Sequence, residues 1–270
     1  MSFEKPQITI VVPRRGINDE GKGKKHALYR LISAAKTEYV WMMDDDVLPA
    51  PIANSSLCER PIGGTPSNSL YEASDLLILP LQMESDREKP SLLERLQIAE
   101  YAAIQQLTIE TAKRGHAVMC SGANLIAKRD RWLESYPDLH PEIPSGDDMF
   151  LLESFKRRGL KIAVSESKEL TAIVRPHTSW RAFFRQRMRW AGKAPKYTDK
   201  DILLCGAIML MANLLQLCCP LVLLVKFPLE YALIKKRDAS VSLFTALLLE
   251  ILYPFYTIIS IVGGIFRRTW

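Results

Sequence analysis

The sequence YVWMMDDDVLPAP, residues 39–51, decides the fold. Its first five residues are apolar, which is typical of a strand that is buried on both faces. Three aspartates follow directly: Asp44, Asp45 and Asp46. Adjacent carboxylates repel one another, most strongly where water is partly excluded. The pattern therefore predicts that a positive charge lies beside the end of this strand.

The segments before the aspartates have a strand–helix–strand order. QITIVV, residues 7–12, is a β-branched run that predicts a strand. HALYRLISAAK, residues 26–36, has apolar residues at helical spacing. A βαβ unit predicts parallel strands with helices on the faces of the sheet. Because ligands bind beyond the carboxyl ends of such strands, the three aspartates mark a predicted ligand site.

Strands and helices alternate as far as residue 200. A long helix is predicted over residues 91–115, begun by a capping box of Ser91 and Glu94 and ended by Gly115. The other predicted elements are strands within residues 74–83 and 160–165, a strand, glycine turn, strand and helix within residues 117–135, and an ordered loop at residues 51–70.

Composition limits the partners of the chain. It has 270 residues, a net charge of +6 and a pI of about 9.0. This excess suits nucleic acid, anionic lipid or a phosphorylated substrate. No basic stripe alternates with aromatic residues that could stack on bases, which disfavours nucleic acid. The five cysteines show neither metal-ligand spacing nor a disulfide pattern, which indicates a reducing compartment or a membrane interior.

Two long apolar runs, residues 202–234 and 241–266, follow the charged part of the chain. The first is longer than the ~20 residues that one transmembrane helix needs. Pro220 and Pro228 therefore predict either a tight hairpin or a span followed by an interfacial piece. Core helices of a soluble domain are the alternative, but these runs are too long and too apolar for one. We expect two to three spans.

Basic residues flank the apolar runs. Lysines before the first run and a KKR sequence between the runs favour a catalytic domain on the cytoplasmic side of an integral membrane protein. RRTW, residues 267–270, is typical of an interfacial anchor. We therefore expect a catalytic domain over residues 1–200, with an interfacial helix at 178–198, and a membrane domain over 201–270.

Three motifs carry side chains suited to catalysis, and each has an alternative. The three aspartates either form a solvated turn or bind Mg²⁺ or Mn²⁺ that is shared with a substrate phosphate. Asp147 and Asp148 in SGDDMFLLESF either cap a helix or supply a general base. QRMRW, residues 186–190, either lies on anionic lipid or places an arginine on a diphosphate beside an indole that stacks on a sugar.

Together these motifs resemble those of the inverting, processive-type glycosyltransferases of family 2, which include cellulose, chitin and hyaluronan synthases and ceramide glucosyltransferase. DDD resembles the family's D-x-D motif, GDD its T/G-E/D-D motif, and QRMRW its Q-x-x-R-W motif. GKGKKHAL and SGANLIAKRD are similar to two further family segments. The resemblance covers residues 7–200. It implies a GT-A-like (Rossmann-like) α/β fold with a mixed sheet flanked by helices, followed by C-terminal transmembrane helices.

The resemblance implies a role for each motif residue. Asp44 and Asp46 would bind Mg²⁺ or Mn²⁺, and Asp148, beside Asp147, would be the catalytic base. The residues implied to bind the donor diphosphate are Lys24, Lys25, Asp45, Gln186 and Arg189. The residues implied to bind the acceptor are Trp190, Trp180, Gly122 and Asn124.

The implied activity is transfer of a sugar from a nucleotide sugar, a UDP-sugar in particular, to a hydroxyl of a glycan or lipid acceptor. The family pattern has two strands before its GK segment, whereas only one precedes GKGKK here. We therefore expect the N-terminal part of the nucleotide-binding half to be absent. Two alternatives follow: a catalytically inactive membrane-anchored remnant or binding protein of the same family, and a basic peripheral protein that binds anionic lipid without sugar chemistry.

Overall fold

A computed structural model describes residues 8–14, 23–49, 73–143 and 145–266. The predicted loop at residues 51–70 and the predicted anchor at residues 267–270 lie outside the described residues. The chain divides into two compact units. The first comprises Met1–Leu81 and Thr111–Val174, and the second comprises Gln82–Glu110 and Arg175–Trp270.

The helices and strands have the following bounds. The strands are β1 (Ile8–Val11), β2 (Tyr39–Met43), β3 (Leu76–Ile78), β4 (Leu81–Met83), β5 (Asn124–Lys128), β6 (Ile162–Val164) and β7 (Ala172–Val174). The α-helices are α1 (Lys24–Ala34), α2 (Leu92–Lys113), α3 (Arg129–Ser135), α4 (Asp147–Arg157), α5 (Trp180–Ala191), α6 (Lys200–Cys218), α7 (Leu223–Arg237) and α8 (Leu243–Phe266).

The first unit is built on a five-stranded sheet of order β1-β2-β5-β3-β6. β1 and β2 are parallel, as are β3 and β6, whereas β5 runs antiparallel to both β2 and β3. The predicted mixed α/β sheet is therefore confirmed. All five residues of β2 are buried, and Tyr39 and Trp41 pack with Leu77 and Ile126 in the core. This burial explains why the segment before the aspartates is apolar throughout.

Several local predictions are confirmed and others are corrected. The capping box of α2 forms, with the Ser91 N–H donating to Glu94 Oε2 at 2.8 Å and the Glu94 N–H donating to Ser91 Oγ at 3.3 Å. The strand predicted within residues 74–83 is interrupted at Pro80, which has no N–H for a ladder, and becomes β3 and β4. Residues 117–120, predicted as a strand, form no ladder, and β7 had no sequence prediction.

The second unit consists largely of helices. The first apolar run breaks at the 3₁₀ turn Pro220–Val222, which separates α6 from α7. α6 and α8 are each long and apolar enough to cross a membrane by length and composition. The second unit does not begin at residue 200, where the membrane domain was expected to begin, but also includes Gln82–Glu110 and the residues from Arg175. It includes part of α2 because Leu96 and Ala99 of that helix pack with Ile234 and Leu249 of the C-terminal helices.

A cluster of polar side chains lies between the helices of the second unit. The Lys226 ammonium pairs with the carboxylate of Glu250 and lies 3.5 Å from Glu230 Oε1. It also donates to Asn213 Oδ1 at 2.9 Å and to Gln216 Oε1 at 3.2 Å. Lys226 and Glu230 are the charged residues of the first apolar run, residues 202–234. Because charges among apolar helices need partners, this cluster joins α6, α7 and α8.

Candidate active site

The acidic end of β2 lies in the first unit. Trp41 is fixed within the strand because its indole N–H donates to Asn124 Oδ1 at 2.8 Å. The chain then leaves the sheet in a turn in which the Val47 N–H donates to the Asp44 carbonyl at 3.4 Å. Asp44 is half-buried, whereas Asp45 and Asp46 are exposed. The three carboxylates therefore begin at the edge of the core and continue into solvent.

The ammonium of Lys24 supplies a positive charge at this acidic end. Lys24 is the first residue of α1 and follows Gly23, whose φ of 88° favours glycine. Its Nζ lies 2.7 Å from Asp44 Oδ1 and 2.9 Å from Asp147 Oδ2. Burial alone would lower the pKa of Lys24, but the two carboxylates outweigh burial and raise it. Lys24 therefore stays charged and links β2 to α4.

The GDD motif opens α4 beside Lys24. Gly146 takes a left-handed conformation (φ 86°), and Asp147 and Asp148 form the first turn of the helix. Burial would raise the pKa of Asp147, but Lys24 outweighs it and lowers that pKa below its usual value. Burial raises the pKa of Asp44 despite the same lysine. The cluster thus holds one firmly ionised carboxylate against the lysine.

Asp148 differs from Asp147 in exposure and in partners. It is half-buried, its Oδ1 accepts from the Met149 N–H at 2.8 Å, and its Oδ2 lies 3.4 Å from the Gly122 nitrogen. These hydrogen bonds orient the carboxylate. The thiol of buried Cys120 donates to the Asp148 carbonyl at 3.2 Å, and burial raises the pKa of that thiol. Cys120 is a neighbour of the site that sequence reasoning did not identify.

Gly122 is needed for the close packing of this cluster. A Cβ at this position would lie 3.0 Å from Asp147 Oδ2 and 3.3 Å from Lys24 Nζ. Contacts this short force the lysine and the carboxylate to move. The glycine therefore allows the backbone before β5 to approach the Lys24–Asp147 pair.

We expect Gly122→Ala to destabilise the chain by about 1–3 kcal/mol, because the added methyl group overpacks the ion pair. The thermal unfolding midpoint in detergent measures the effect. Gly206→Ala is a matched control, since a Cβ there meets nothing within 4 Å. Equal midpoints for the two variants would contradict the close packing described for Gly122.

The structure gives two of the site residues suggested by the sequence an internal role. The Lys25 ammonium is buried and donates to the carbonyls of Leu139 and His140 at 2.5 and 2.9 Å. The side chain of Asn124 is also buried, and its two amide hydrogens go to the Pro80 and Leu170 carbonyls at 2.8 Å each. Lys24 is thus the lysine beside the aspartates, and the contacts of Asn124 are better explained by core stability than by acceptor binding.

The QRMRW motif lies on α5 of the second unit. Arg189 and the indoles of Trp180 and Trp190 are exposed, whereas Gln186 is partly buried. Arg187, which sequence reasoning did not assign, is buried. Its spacing of four residues from the buried Phe183 on the same helix is the signal that could have identified it.

Most of the chain matches a known protein family. The family model described as "Glycosyltransferase like family 2" matches residues 4–193. The chain belongs to this family. No match was found among curated proteins. All three motifs, DDD, GDD and QRMRW, lie within the matched residues.

Two solved structures are similar to this family 2 chain to different degrees. A structure described as "Mannosyltransferase PcManGT from Pyrobaculum calidifontis in complex with GDP-Man and Mn2+" is similar, with 15% identity and a TM-score of 0.50, over 99% of this chain and 89% of its own. A second, described as "Crystal Structure of a Mycobacterial Protein", has 19% identity and a TM-score of 0.30, over 63% of this chain and 50% of its own. The first likeness confirms a GT-A-like fold.

The donor atoms at the strand end fit a divalent cation in part. Carboxylate oxygens are the hard ligands that Mg²⁺ and Mn²⁺ take. Lys24 neutralises only one charge among Asp44, Asp147 and Asp148, and Asp46 adds a further negative charge beside Asp44. Among the described residues, no group of three or more His, Cys, Asp or Glu could hold a metal alone. The binding of a metal by Asp44 and Asp46 therefore stays a prediction.

Proposed function

We propose that the chain transfers a sugar from a nucleoside diphosphate sugar to a hydroxyl of a glycan or lipid acceptor, with inversion at the anomeric carbon. The observation that carries this proposal is the pairing of Lys24 with Asp44 and Asp147, next to a half-exposed Asp148, in a family 2 chain. Asp147 and Asp148 have different surroundings in this arrangement, and we therefore assign them different roles.

Asp148 is the general base of the proposed reaction. Asp147 is buried against Lys24, and its lowered pKa makes it a poor proton acceptor. Asp148 keeps a half-buried carboxylate that main-chain N–H groups orient. It takes the proton from the acceptor hydroxyl as the oxygen attacks the anomeric carbon from the face opposite the leaving diphosphate. A single displacement of this kind inverts the configuration.

Asp44 and Asp46 would hold Mg²⁺ or Mn²⁺ beside the donor diphosphate. When bound, the cation supplies positive charge for the departing nucleoside diphosphate. The similar mannosyltransferase is described with GDP-Man and Mn2+, which supports a nucleotide sugar and a divalent cation here. Asp45 and Lys24 would lie on the same diphosphate, and Lys24 also keeps Asp44 and Asp147 from repelling one another.

The motif of α5 supplies the remaining roles. The family pattern assigns Gln186 and Arg189 to the diphosphate, and we propose the same roles here. The exposed indoles of Trp190 and Trp180 suit stacking on acceptor sugars. Gly122 is proposed to line the acceptor side of the carboxylates.

The reaction is proposed to take place at a membrane. Apolar side chains on α6 and α8 are largely exposed, including Leu204, Ile208 and Phe244 at 61%, 58% and 70%. Such surfaces are stable in lipid and unfavourable in water. With the excess of lysine and arginine before α6 and in the last turn of α7, we propose a catalytic domain on the cytoplasmic side.

Transfer from radiolabelled donors tests this function. The full chain, purified in detergent, is incubated with UDP-glucose, UDP-N-acetylglucosamine or GDP-mannose and a membrane lipid extract, with Mn²⁺, Mg²⁺ or EDTA. We expect one donor to label a product only with a cation present, and the new linkage to have the configuration opposite to that of the donor. Absence of label with all donors and both cations would contradict the proposal, and retained configuration would contradict the single displacement.

A further inference from the structure

The helix that carries QRMRW has one arginine that differs from the others. Arg181, Arg185 and Arg189 are exposed, whereas Arg187 is 5% exposed. Arginine is almost never buried without a partner, because removing its charge from water is costly. The burial of Arg187 therefore needs an explanation that a helix lying on a lipid surface does not give.

Arg187 is held by two other helices of the second unit. Its guanidinium binds the carboxylate of Glu100 on α2 in a forked geometry, with Nε 3.3 Å from Oε1 and Nη2 bonded to Oε2. Glu100 is itself buried, and the Tyr256 hydroxyl on α8 donates to Glu100 Oε1. A forked arginine–carboxylate pair fixes direction as well as distance. The plane of the guanidinium is thus set by α2 and α8.

The remaining face and nitrogen of Arg187 contact the motif residues. Its Nη1 donates to Gln186 Oε1 at 2.6 Å. Because the oxygen of this amide is held by Arg187, Gln186 presents its Nε2–H₂ group, a hydrogen-bond donor, to other partners. A donor is the group that a phosphate or sugar oxygen requires. Without Arg187 the amide could turn and present its oxygen instead.

Arg187 also supports the indole of Trp190. Its guanidinium carbon lies 4.3 Å from the Trp190 ring centroid and 4.8 Å from that of Phe183. Guanidinium groups stack on aromatic faces at such distances. Trp190 nevertheless remains 37% exposed. The stacked cation therefore fixes the ring while part of it stays available to a ligand.

Backbone contact with α8 fixes the end of the same helix. A Cβ at Gly264 would lie 2.8 Å from the Gly192 nitrogen and 2.9 Å from the Met188 carbonyl oxygen. The close approach of α8 thus requires glycine and leaves little freedom for α5 to rotate. The anchor at Glu100 and this contact hold the motif from two places.

We propose that Arg187 is a positioning residue: held by Glu100 and Tyr256, it sets Gln186 as a hydrogen-bond donor and holds the Trp190 indole for substrate binding. This assignment rests on the proposed function, because it gives Gln186 and Trp190 their task. It adds a requirement for α2 and α8, which do not belong to any of the motifs.

A double-mutant cycle tests the assignment. Arg187→Lys keeps the charge but loses the fork, and Gln186→Ala removes the amide that it orients. We expect Arg187→Lys alone to lower kcat/KM for the donor at least about fivefold, but to have much less effect in the Gln186→Ala background, because residues that act through one another are not additive. Arg185→Lys, on the exposed side of α5, is the control and should leave kcat/KM unchanged. Independent, additive losses would overturn the assignment.

A second variant covers the case in which Arg187→Lys fails to fold. Arg187→Met combined with Glu100→Gln removes both buried charges, so that neither is left unpaired. We expect this protein to keep the thermal midpoint and circular dichroism of the wild type but to lose transfer by a similar factor. Wild-type transfer in the double variant would overturn the assignment. Absence of transfer by the wild type itself would instead overturn the proposed function, and with it this role.

Discussion

Asp148→Asn should lower the rate of sugar transfer about 10²- to 10⁴-fold while leaving donor binding intact. Asparagine has nearly the shape of aspartate and can keep the bond from the Met149 N–H to the side-chain oxygen, 2.8 Å in the wild type. It cannot take a proton from an acceptor hydroxyl. The loss should therefore appear in kcat, with little change in the affinity for the nucleotide. Single-turnover transfer of radiolabelled sugar and calorimetry of the donor separate the two.

Two further variants sharpen this test. Asp130→Asn, at a side chain that is 81% exposed on α3 and paired with Arg129, should leave transfer unchanged. Asp147→Asn should weaken stability and donor binding as well as transfer, because it removes one of the two carboxylates that pair with half-buried Lys24. Turnover of Asp148→Asn at the wild-type rate would exclude Asp148 as the base.

Lys226→Met should produce the largest loss of stability. The substitution leaves Glu250, which is 2% exposed, without its cation among apolar helices, with Glu230 nearby. Removing one partner of a buried ion pair lowers the free energy of unfolding by about 3–5 kcal/mol, which lowers the unfolding midpoint of a chain this size by about 6–20 °C. Circular dichroism of the detergent-solubilised chain during heating measures this change in the unfolding midpoint.

The partner variant gives the physical reason. Lys226→Met combined with Glu230→Gln and Glu250→Gln removes all the charges of the cluster and should recover most of the lost stability, since replacing a whole buried ionic group is often neutral. Lys196→Met, at an exposed lysine, should shift the midpoint little. A midpoint for Lys226→Met equal to that of Lys196→Met would show that the cluster does not stabilise the helices.

The sequence predicted the fold where pattern and chemistry agree. Residues 8–11, 24–34 and 39–43 form the strand, helix and strand that β-branched runs and helical spacing indicated. The direction of β5 was not predicted, because an apolar strand that is buried on both faces has the same pattern in either direction. The sequence predicted parallel pairing for the unit of β1, α1 and β2, and β1 and β2 are parallel, whereas β5 runs antiparallel between β2 and β3.

The candidate site was predicted less completely than the fold. The repulsion among the aspartates predicted a nearby positive charge, which the sequence analysis assigned to Mg²⁺ or Mn²⁺. The structure brings the ammonium of Lys24 to Asp44 and Asp147, and the metal stays a prediction. The sequence could not distinguish Lys24 from Lys25, because the choice depends on which side of α1 faces the carboxylates. The burial of Arg187 was not predicted, because a helix rich in arginine is typical of an exposed surface. Glu100 lies in an apolar stretch of α2 and is buried, and a buried carboxylate needs a positively charged partner such as Arg187.

Calorimetric titration of UDP and of GDP into the detergent-solubilised chain, with Mn²⁺ or with EDTA, tests the central claim most directly. The claim is that the carboxylates after β2 hold a cation that is shared with the diphosphate of the donor. We predict that one nucleotide binds with Mn²⁺, and that its heat disappears with EDTA and in the Asp46→Asn variant. No heat from either nucleotide, or equal heat with EDTA and in the variant, would contradict the claim.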